Sequence, residues 1–377
     1  MQTKVLIIGG GLSGLHTAYE LHKRGVNFLL VEARDRFGGR ILSRNGNNSE
    51  YDPNQSAFDL GPSWFWPGQS RMQTLISEIG LSGEIFAQAG TGDALYEDNQ
   101  GNVQRGIGGI SMGGAYRMKG GIRQIISTLS QQIPRELLIC NAAVTEIKHL
   151  EETIVSTLLI DNIPKEISSK FVVLASPPRV AVASIKFLPQ FPQARIEELN
   201  TVATWMAGHA KIVCKYSHPF WQQQGLSGDV ISHRGPLQEI HDASSESGDL
   251  SALFGFVSVQ ARYRRQRQEE LHTMAVAQLA RLFGELASTP VDVYMKDWAF
   301  DPYTSTDYDQ EMLMFHPANN IVSVTEKSWH QQLIWSGSES ADFRQHNNGF
   351  LEGALEASLR TVSFLSSQIN STPSLAS

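Results

Sequence analysis

The sequence predicts an α/β chain built on a doubly wound, Rossmann-like dinucleotide-binding domain joined to a second domain. Three observations carry that expectation. The apolar run Val5 to Ile8 leads into the glycines of GGGLSG, after which Leu15, Ala18 and Leu21 recur at helical spacing. A second apolar run, VNFLLVE, ends on Glu32, 18 residues beyond Gly14. At 377 residues the chain is too long for one ordinary core and suits two domains, or one large domain carrying insertions.

Each element of the first unit has a physical reason. Val5 to Ile8 is uniformly apolar, as a parallel strand covered on both faces requires. Gly9 permits the tight turn out of it, Gly11 lets the backbone approach a pyrophosphate, and Gly14 allows close packing of helix on strand. Leu12 and Ser13 sit with them at the helix N-terminus, where free N–H groups and the helix dipole favour anionic phosphates. The Glu32 carboxylate, followed by Ala33, is placed to accept hydrogen bonds from ribose hydroxyls and would repel a 2′-phosphate, which argues against NADP. These residues leave NAD and FAD both open.

Composition narrows the function classes. Hydrophobic residues at 41% and charged residues at 18% describe a soluble globular protein. A net charge of −7 gives no general footprint for nucleic acid or anionic lipid. The one basic run, RYRRQR (Arg262 to Arg267), reads as the solvated lead-in to a surface helix carrying Leu271, Ala275, Leu279, Leu282 and Phe283 at helical spacing. Cys140 and Cys214 are too few for a disulfide framework and read as reduced thiols, which suggests a cytoplasmic protein. No run approaches 18 apolar residues, so no membrane span is expected. The Ser/Thr-rich end, with 371–377 at its extremity, reads as a disordered tail. The eleven histidines show no HxH or HExxH spacing, so no metal site is expected.

The segment EARDRFGGR, Glu32 to Arg40, resembles the second signature of the flavin amine oxidase family, which includes monoamine and polyamine oxidases and L-amino-acid oxidases. That resemblance points to FAD, with Arg34, Gly38, Gly39 and Arg40 wrapping its pyrophosphate. The guanidinium fork suits phosphate geometry. FDLGPSWFWP resembles the segment passing under the flavin ring and implies that Gly61, Pro62, Ser63 and Trp64 are flavin neighbours. RMKGGIRQI resembles the return into the FAD domain, AAVTEI places Val144 against adenine, and FVVLASPP resembles the strand that closes the cofactor sheet. SGSESADFRQHNNGFLEGALEASLRT resembles the closing flavin motif, with Glu339 toward the ribityl and pyrophosphate region and a helix beginning near Gly349, at Phe350 and Leu351. The similarity covers nearly the whole chain.

The fold this implies is a glutathione-reductase-type FAD domain, 1–85, 121–200 and 301–370, interleaved with a mixed-sheet α+β substrate domain of amine-oxidase type, 86–120 and 201–300. By the same resemblance Lys211, in TWMAGHAKIVCKYSHPFW, is the lysine beside flavin N5. A lysine in an apolar strand needs a bound water or another acceptor. Tyr308 and Phe350 map to two aromatic walls facing the flavin, with Tyr303 the alternative to Tyr308. The family's mitochondrial members attach FAD through a cysteine; Thr306 and Asp307 lie nearest that position here, so the flavin is expected to be non-covalent. No counterpart of the C-terminal membrane helix of those mitochondrial members is expected from these residues.

The activity implied is oxidation of a primary or secondary amine by hydride transfer to flavin N5, giving an imine that hydrolyses, with molecular oxygen as acceptor and hydrogen peroxide as product. No arginine marks an amino-acid carboxylate. The chain departs from the family between Pro67 and Gly120, where only about fifty residues remain and read as a glycine-rich hairpin. That leaves the site open or covered by a partner subunit of a homo-oligomer. Two other readings stand at this stage: a flavin desaturase or oxidase of an apolar, non-amine substrate, and a flavin-binding protein without amine turnover.

Overall fold

The computed structural model describes residues 1–46, 50–88, 91–106, 112–313, 315–317, 321, 325–342 and 347–370. The larger sheet runs, in spatial order, Lys186–Leu188, Ala142–Leu150, Thr153–Ile160, Ile163–Leu174, Gln2–Ile8, Phe28–Val31 and Leu138–Ile139, with Leu333–Trp335 also pairing Ile163–Leu174. Its centre is parallel: Gln2–Ile8 lies between Phe28–Val31 and the end of Ile163–Leu174. The Ala142–Leu150, Thr153–Ile160 and Ile163–Leu174 strands form an antiparallel meander. Ile163–Leu174 therefore closes nothing. Its first half pairs within the meander and its second half is interior, because FVVL is apolar on both faces and must be covered on both.

Alternation along these strands makes two cores. Val5, Ile7, Leu30 and Val173 enter one buried cluster with the Leu12–Lys23 and Leu351–Asn370 helices. Leu6, Ile8, Leu29, Val31, Val172 and Leu174 enter the opposite one, around Trp329 and Trp335. Side chains of period two, all apolar, thus explain both the uninterrupted run and its parallel pairing. The end called disordered is partly ordered: the final helix runs to Asn370, while 371–377 lies outside the described residues.

The smaller sheet runs Asp292–Asp297, Ala210–Tyr216, Ser251–Val257, Leu237–Asp242, Leu226–Ser232, Asp93–Glu97 and Val103–Arg105. The Gln268–Phe283 helix covers one face with Leu271, Ala275, Leu279, Leu282 and Phe283, the residues its periodicity singled out. The other face, carrying Val213, Ala252 and Phe254, packs on Phe58 and Leu60. The glycine-rich segment after Pro67 supplies the Asp93–Glu97 and Val103–Arg105 hairpin at this sheet's edge, with 107–111 outside the described residues.

The basic run needs correction at one position. Arg262, Arg265 and Arg267 are exposed, but Arg264 is fully buried. Its guanidinium forks onto both Asp297 oxygens at 2.7 Å and donates to Gly208 O at 2.8 Å and Val259 O at 2.6 Å. Each of the three guanidinium nitrogens donates to an acceptor, and the charge is paired, which is what lets a permanently charged group stay dry. Arg264→Ala would leave Asp297 buried without its counter-ion. Denaturant melts of the FAD-loaded protein are expected to show a loss of roughly 3–5 kcal/mol; an unchanged midpoint would mean that Asp297 finds another partner.

Candidate active site

Residues of both sheets line one continuous cleft of about 790 Å³. One end is built by the first glycine turn. Gly9 has φ of 106°, a region open to glycine, and its N–H donates to Val31 O at 2.8 Å. Gly14 does not line the cleft; a side-chain carbon there would strike Gly9 O, so its bareness is what lets the helix seat against the turn. Gly9, Gly11, Leu12 and Ser13 face the cleft, opposite Gly38 and Gly39, whose loop is pinned by Gly38 N–H donating to Gly10 O at 2.8 Å.

Glu32 is buried at the same end. Its two oxygens accept from Gly10 N at 2.7 Å and Arg34 N at 2.9 Å, which fixes the carboxylate beside Ala33 and Val144 on the cleft wall. Arg34 lines the cleft too, but its guanidinium is engaged. It pairs with Asp301, donates to Thr304 Oγ1 at 3.0 Å and lies 5.2 Å from the Tyr303 ring centroid. Asp301 would be raised by burial, but the charges of Arg34 and Lys296 hold its carboxyl below the usual range. Arg40 pairs with Glu339 and donates to Ser338 Oγ at 2.9 Å. The other Glu339 oxygen, Oε2, is buried without a partner among the described residues. An unsatisfied carboxylate oxygen on a cleft wall is a waiting acceptor for a hydroxyl-bearing ligand. With the glycine cradle and two helix N-termini, at Leu12 and Leu351, these residues fit a dinucleotide pyrophosphate and its sugar hydroxyls.

The other end is a chamber on the smaller sheet. Lys211 is 3% exposed and donates to Asp59 O at 3.1 Å, Gly61 O at 2.7 Å and Ser63 Oγ at 2.9 Å. The acceptor that an apolar strand denies it is thus the polypeptide itself, and all three ammonium hydrogens are used. The Phe254 ring centroid lies 4.2 Å from Nζ. Burial drives the lysine down to about 7, with Asp59 opposing and Arg117 reinforcing the shift. Gly61, Pro62, Ser63 and Trp64 follow along the wall, and Phe350 and Leu351 face it from the start of the last helix.

The aromatic walls differ from expectation. Phe350 lines the cleft, but Tyr308 does not: its side chain is 67% exposed, with Arg179 5.7 Å from the ring centroid. The cause is its neighbour. Asp309 is buried against Arg179 at 2.5 Å and closes a capping box with Thr306, so the short Asp307–Asp309 turn must point Tyr308 outward. Tyr303 lies at the other end, over Arg34. The ring facing Phe350 is His316, stacked at 4.8 Å and 3°, with Trp205 edge-on to His316 at 5.1 Å. Neither His316 nor Trp205 belongs to a spacing that sequence reasoning could single out. Asn348, just before the last helix, donates its side-chain amide to Pro317 O at 3.1 Å.

Of the His316 and Trp205 rings only Trp205 lines the cleft, and His209 and Glu239 are further lining residues that went unread. His209 is pushed down to about 4 by burial and then by Arg264, and its Nδ1 has no partner among the described residues, so it stays a neutral hydrogen-bonding group. Glu239 enters from the Leu237–Asp242 strand. Neither Cys140 nor Cys214 lines the cleft.

Comparison with known proteins agrees with this geometry. The profile of "Flavin containing amine oxidoreductase" matches residues 92–363, and that of an "NAD(P)-binding Rossmann-like domain" matches 7–79. The chain is 24% identical to a "Probable flavin-containing monoamine oxidase A" of Dictyostelium discoideum, over 94% of this chain and 96% of the relative. It is 22% identical to "Amine oxidase [flavin-containing] B" of Homo sapiens, over 95% and 85%. The first alignment runs over 458 positions against 377 residues here, so it opens gaps in this chain. Among solved structures, putrescine oxidase bound to putrescine superposes with a TM-score of 0.80 at 20% identity, covering 97% of this chain and 99% of that one. Cyclohexylamine oxidase from Brevibacterium oxydans gives 0.78 at 19%, covering 98% and 99%.

FAD is the cofactor these findings support. Gly14→Ala places a methyl group against Gly9 O and must push the helix off the phosphate-binding turn. The purified variant is expected to carry a small fraction of the flavin of the parent, read as the ratio of flavin to protein absorbance. Equal flavin content would show that the turn tolerates the shift.

Proposed function

The chain belongs to the flavin-containing amine oxidoreductase family, and from that premise we propose that it oxidises a primary or secondary amine to an imine, with oxygen as acceptor and hydrogen peroxide as product. The observation that carries this reading is the continuity of the cleft, which joins the nucleotide-binding turn to a chamber walled by Phe256, Phe350 and Trp205 beside Lys211. Bound FAD supplies the hydride acceptor; the residues supply placement and surroundings.

Aromatic faces hold an amine and its cationic form by their quadrupoles, worth about 0.5–2 kcal/mol per contact depending on desolvation. Phe350 has no hydroxyl to donate, so its face contacts the substrate carbon chain without competing for the nitrogen. Trp64 anchors the opposite side through Nε1–H donating to Gln88 Oε1 at 2.9 Å, which fixes its ring orientation. His209, neutral throughout the physiological range, presents polarity without adding charge. Lys211 keeps the Asp59 to Ser63 backbone at the chamber floor.

The test is direct. The oxygen-free holoenzyme is mixed with a panel of primary and secondary amines, and loss of flavin absorbance is followed. Bleaching by at least one amine, with peroxide formed once air is admitted, is the expected result; a spectrum unmoved by every amine overturns the reading.

Lys211→Met gives a second check. Below pH 7, where Lys211 keeps its proton, reaction of the reduced protein with oxygen is expected to slow by at least about tenfold, because the positive charge the lysine would place beside the reacting oxygen is removed. The same variant tests the pKa. The folded protein releases the Lys211 proton near 7, whereas a free lysine does so at 10.5, so between those values the unfolded chain binds the extra proton. Stability from this group therefore rises with pH across that window, and the variant should lack the rise in denaturant melts taken from pH 7 to pH 10.5. An identical slope would place the titration elsewhere.

A further inference from the structure

Lys211 is one of three charged residues buried beneath the chamber. Asp59 ends the Ala57–Asp59 strand, and Arg117 is central to the Tyr116–Met118 strand. The Asp59 carboxyl is built into its place. It lies opposite Ser43 in the strand register and accepts from the Ser43 hydroxyl through Oδ1. Ile122 N–H donates to the same oxygen at 3.0 Å, and Ser43 Oγ in turn accepts from Arg123 N at 3.1 Å. Both amides open the Arg123–Gln131 helix, so a helix N-terminus faces the carboxyl and favours its anion. Gly121 has to be bare for this approach: a side-chain carbon there would come within 2.6 Å of Ser43 Oγ and 2.9 Å of Asp59 Oδ1. Burial raises the carboxyl above its usual range, and Ser43, Lys211, Arg117 and the Ile122 amide oppose that rise.

The partners of Lys211 suit two protonation states. Asp59 O and Gly61 O only accept, whereas the Ser63 hydroxyl accepts from an ammonium or donates to the lone pair of a neutral amine. Charge decides between the two. The Phe254 and Phe256 rings, with centroids 4.2 and 5.4 Å from Nζ, favour the cation. Arg117 disfavours it and cannot turn away, because its guanidinium donates to Ser244 O at 2.8 Å and Ala243 O at 2.9 Å. Lys296 stands opposite Lys211, but its Nζ is bound to Asp301 at 2.9 Å. From the Leu237–Asp242 strand, Glu239 lies 3.7 Å from His241 Nε2, and Asp242 acts on Arg117. Tyr51 is a phenol that burial keeps neutral, donating to Gly120 O at 2.7 Å. The carboxylate that acts on Lys211 is Asp59.

We propose that Asp59 is a positioning residue for the reaction with oxygen: its carboxylate is the counter-ion that keeps a positive charge on Lys211 at the chamber floor. The inference rests on the amine-oxidising reading above only through the oxygen step in which that reading places Lys211. On its way to hydrogen peroxide, oxygen takes two electrons and two protons from the reduced flavin, and negative charge gathers on it wherever electrons run ahead of protons. A fixed cation beside it stabilises that charge, and a neutral amine does not. Burial drives Lys211 down to about 7 against the opposing pull of Asp59. Without that pull the lysine loses its proton at a lower pH and is neutral under physiological conditions.

The experiment reduces the holoenzyme with light, without any amine, and follows the return of flavin absorbance on mixing with oxygen from mildly acid to mildly alkaline pH. In the parent the rate is expected to fall by about tenfold or more as the lysine titrates, a fall absent from Lys211→Met. Asp59→Asn keeps the shape of the side chain and removes its charge. The fall should then move to lower pH by about one unit or more, the effect of losing an opposite charge at close range, with the fast rate recovered in acid. A variant slowed equally at every pH, with its midpoint in place, has lost structure only and overturns the proposal. So does a parent rate that does not fall. Ser43→Ala decides where Asp59→Asn fails to hold flavin: the carboxyl then takes a proton more readily, so the midpoint should again move down, and an unmoved midpoint overturns the counter-ion. Because light replaces the amine, a shift found in a protein that no amine bleaches upholds Asp59 and overturns the substrate reading alone.

Discussion

A lysine ammonium drawn out of water at the seam between two sheets sets the geometry of this molecule. Lys211 comes from the smaller sheet, and each of its three hydrogens ends on the Asp59 to Ser63 segment. Desolvating such a charge is costly, and the cost is contained only if the acceptors are immobile. They are. Leu60 N–H donates to Leu42 O at 2.8 Å, Trp298 Nε1–H donates to Leu60 O at 3.0 Å, and Asp59 Oδ1 accepts from Ile122 N at 3.0 Å. The segment is held from several sides, so the chamber floor cannot move without breaking its contacts to Leu42, Trp298, Ile122 and Lys211.

The nucleotide end is tied to the same frame by a second chain of charges. Lys296 is directly opposite Lys211 in the sheet register, where two ammonium groups would repel. Its Nζ turns instead to Asp301 at 2.9 Å and lies 4.4 Å from the Trp298 ring centroid. Asp301 then pairs with Arg34, which brackets Glu32. Buried pairs of this kind contribute little net stability but penalise every arrangement that separates them. Here they specify how far the two ends of the cleft stand apart, which is the quantity a ligand spanning both must match.

Local chemistry was legible in the sequence, and long-range pairing was not. The glycine turn, Glu32 and the helix after them could be read because spacing alone dictates their roles. The parity that splits Val5 and Ile7 from Leu6 and Ile8 into two cores is likewise written in an unbroken apolar run. Arg264 was unreadable because its partner, Asp297, is brought to it by the sheet and not by any helical spacing. Tyr308 failed for the converse reason. Its position in the chain was plausible, but the burial of adjacent Asp309 decides which way the turn faces. Glu239 carries no local signal at all, since its significance appears only when three strands are in register.

That last case also shows why a partly exposed carboxylate can matter. A surface ion pair contributes little because two flexible side chains must be ordered and water screens the charges. Glu239 escapes both penalties in part. The strand fixes its backbone opposite Phe256, and the His241 ring, itself held by buried Asp229, lies 3.7 Å from its carboxylate. Every second side chain along the strand points the same way, so Glu239 faces the cleft, whose lining also includes Trp66 and Met112.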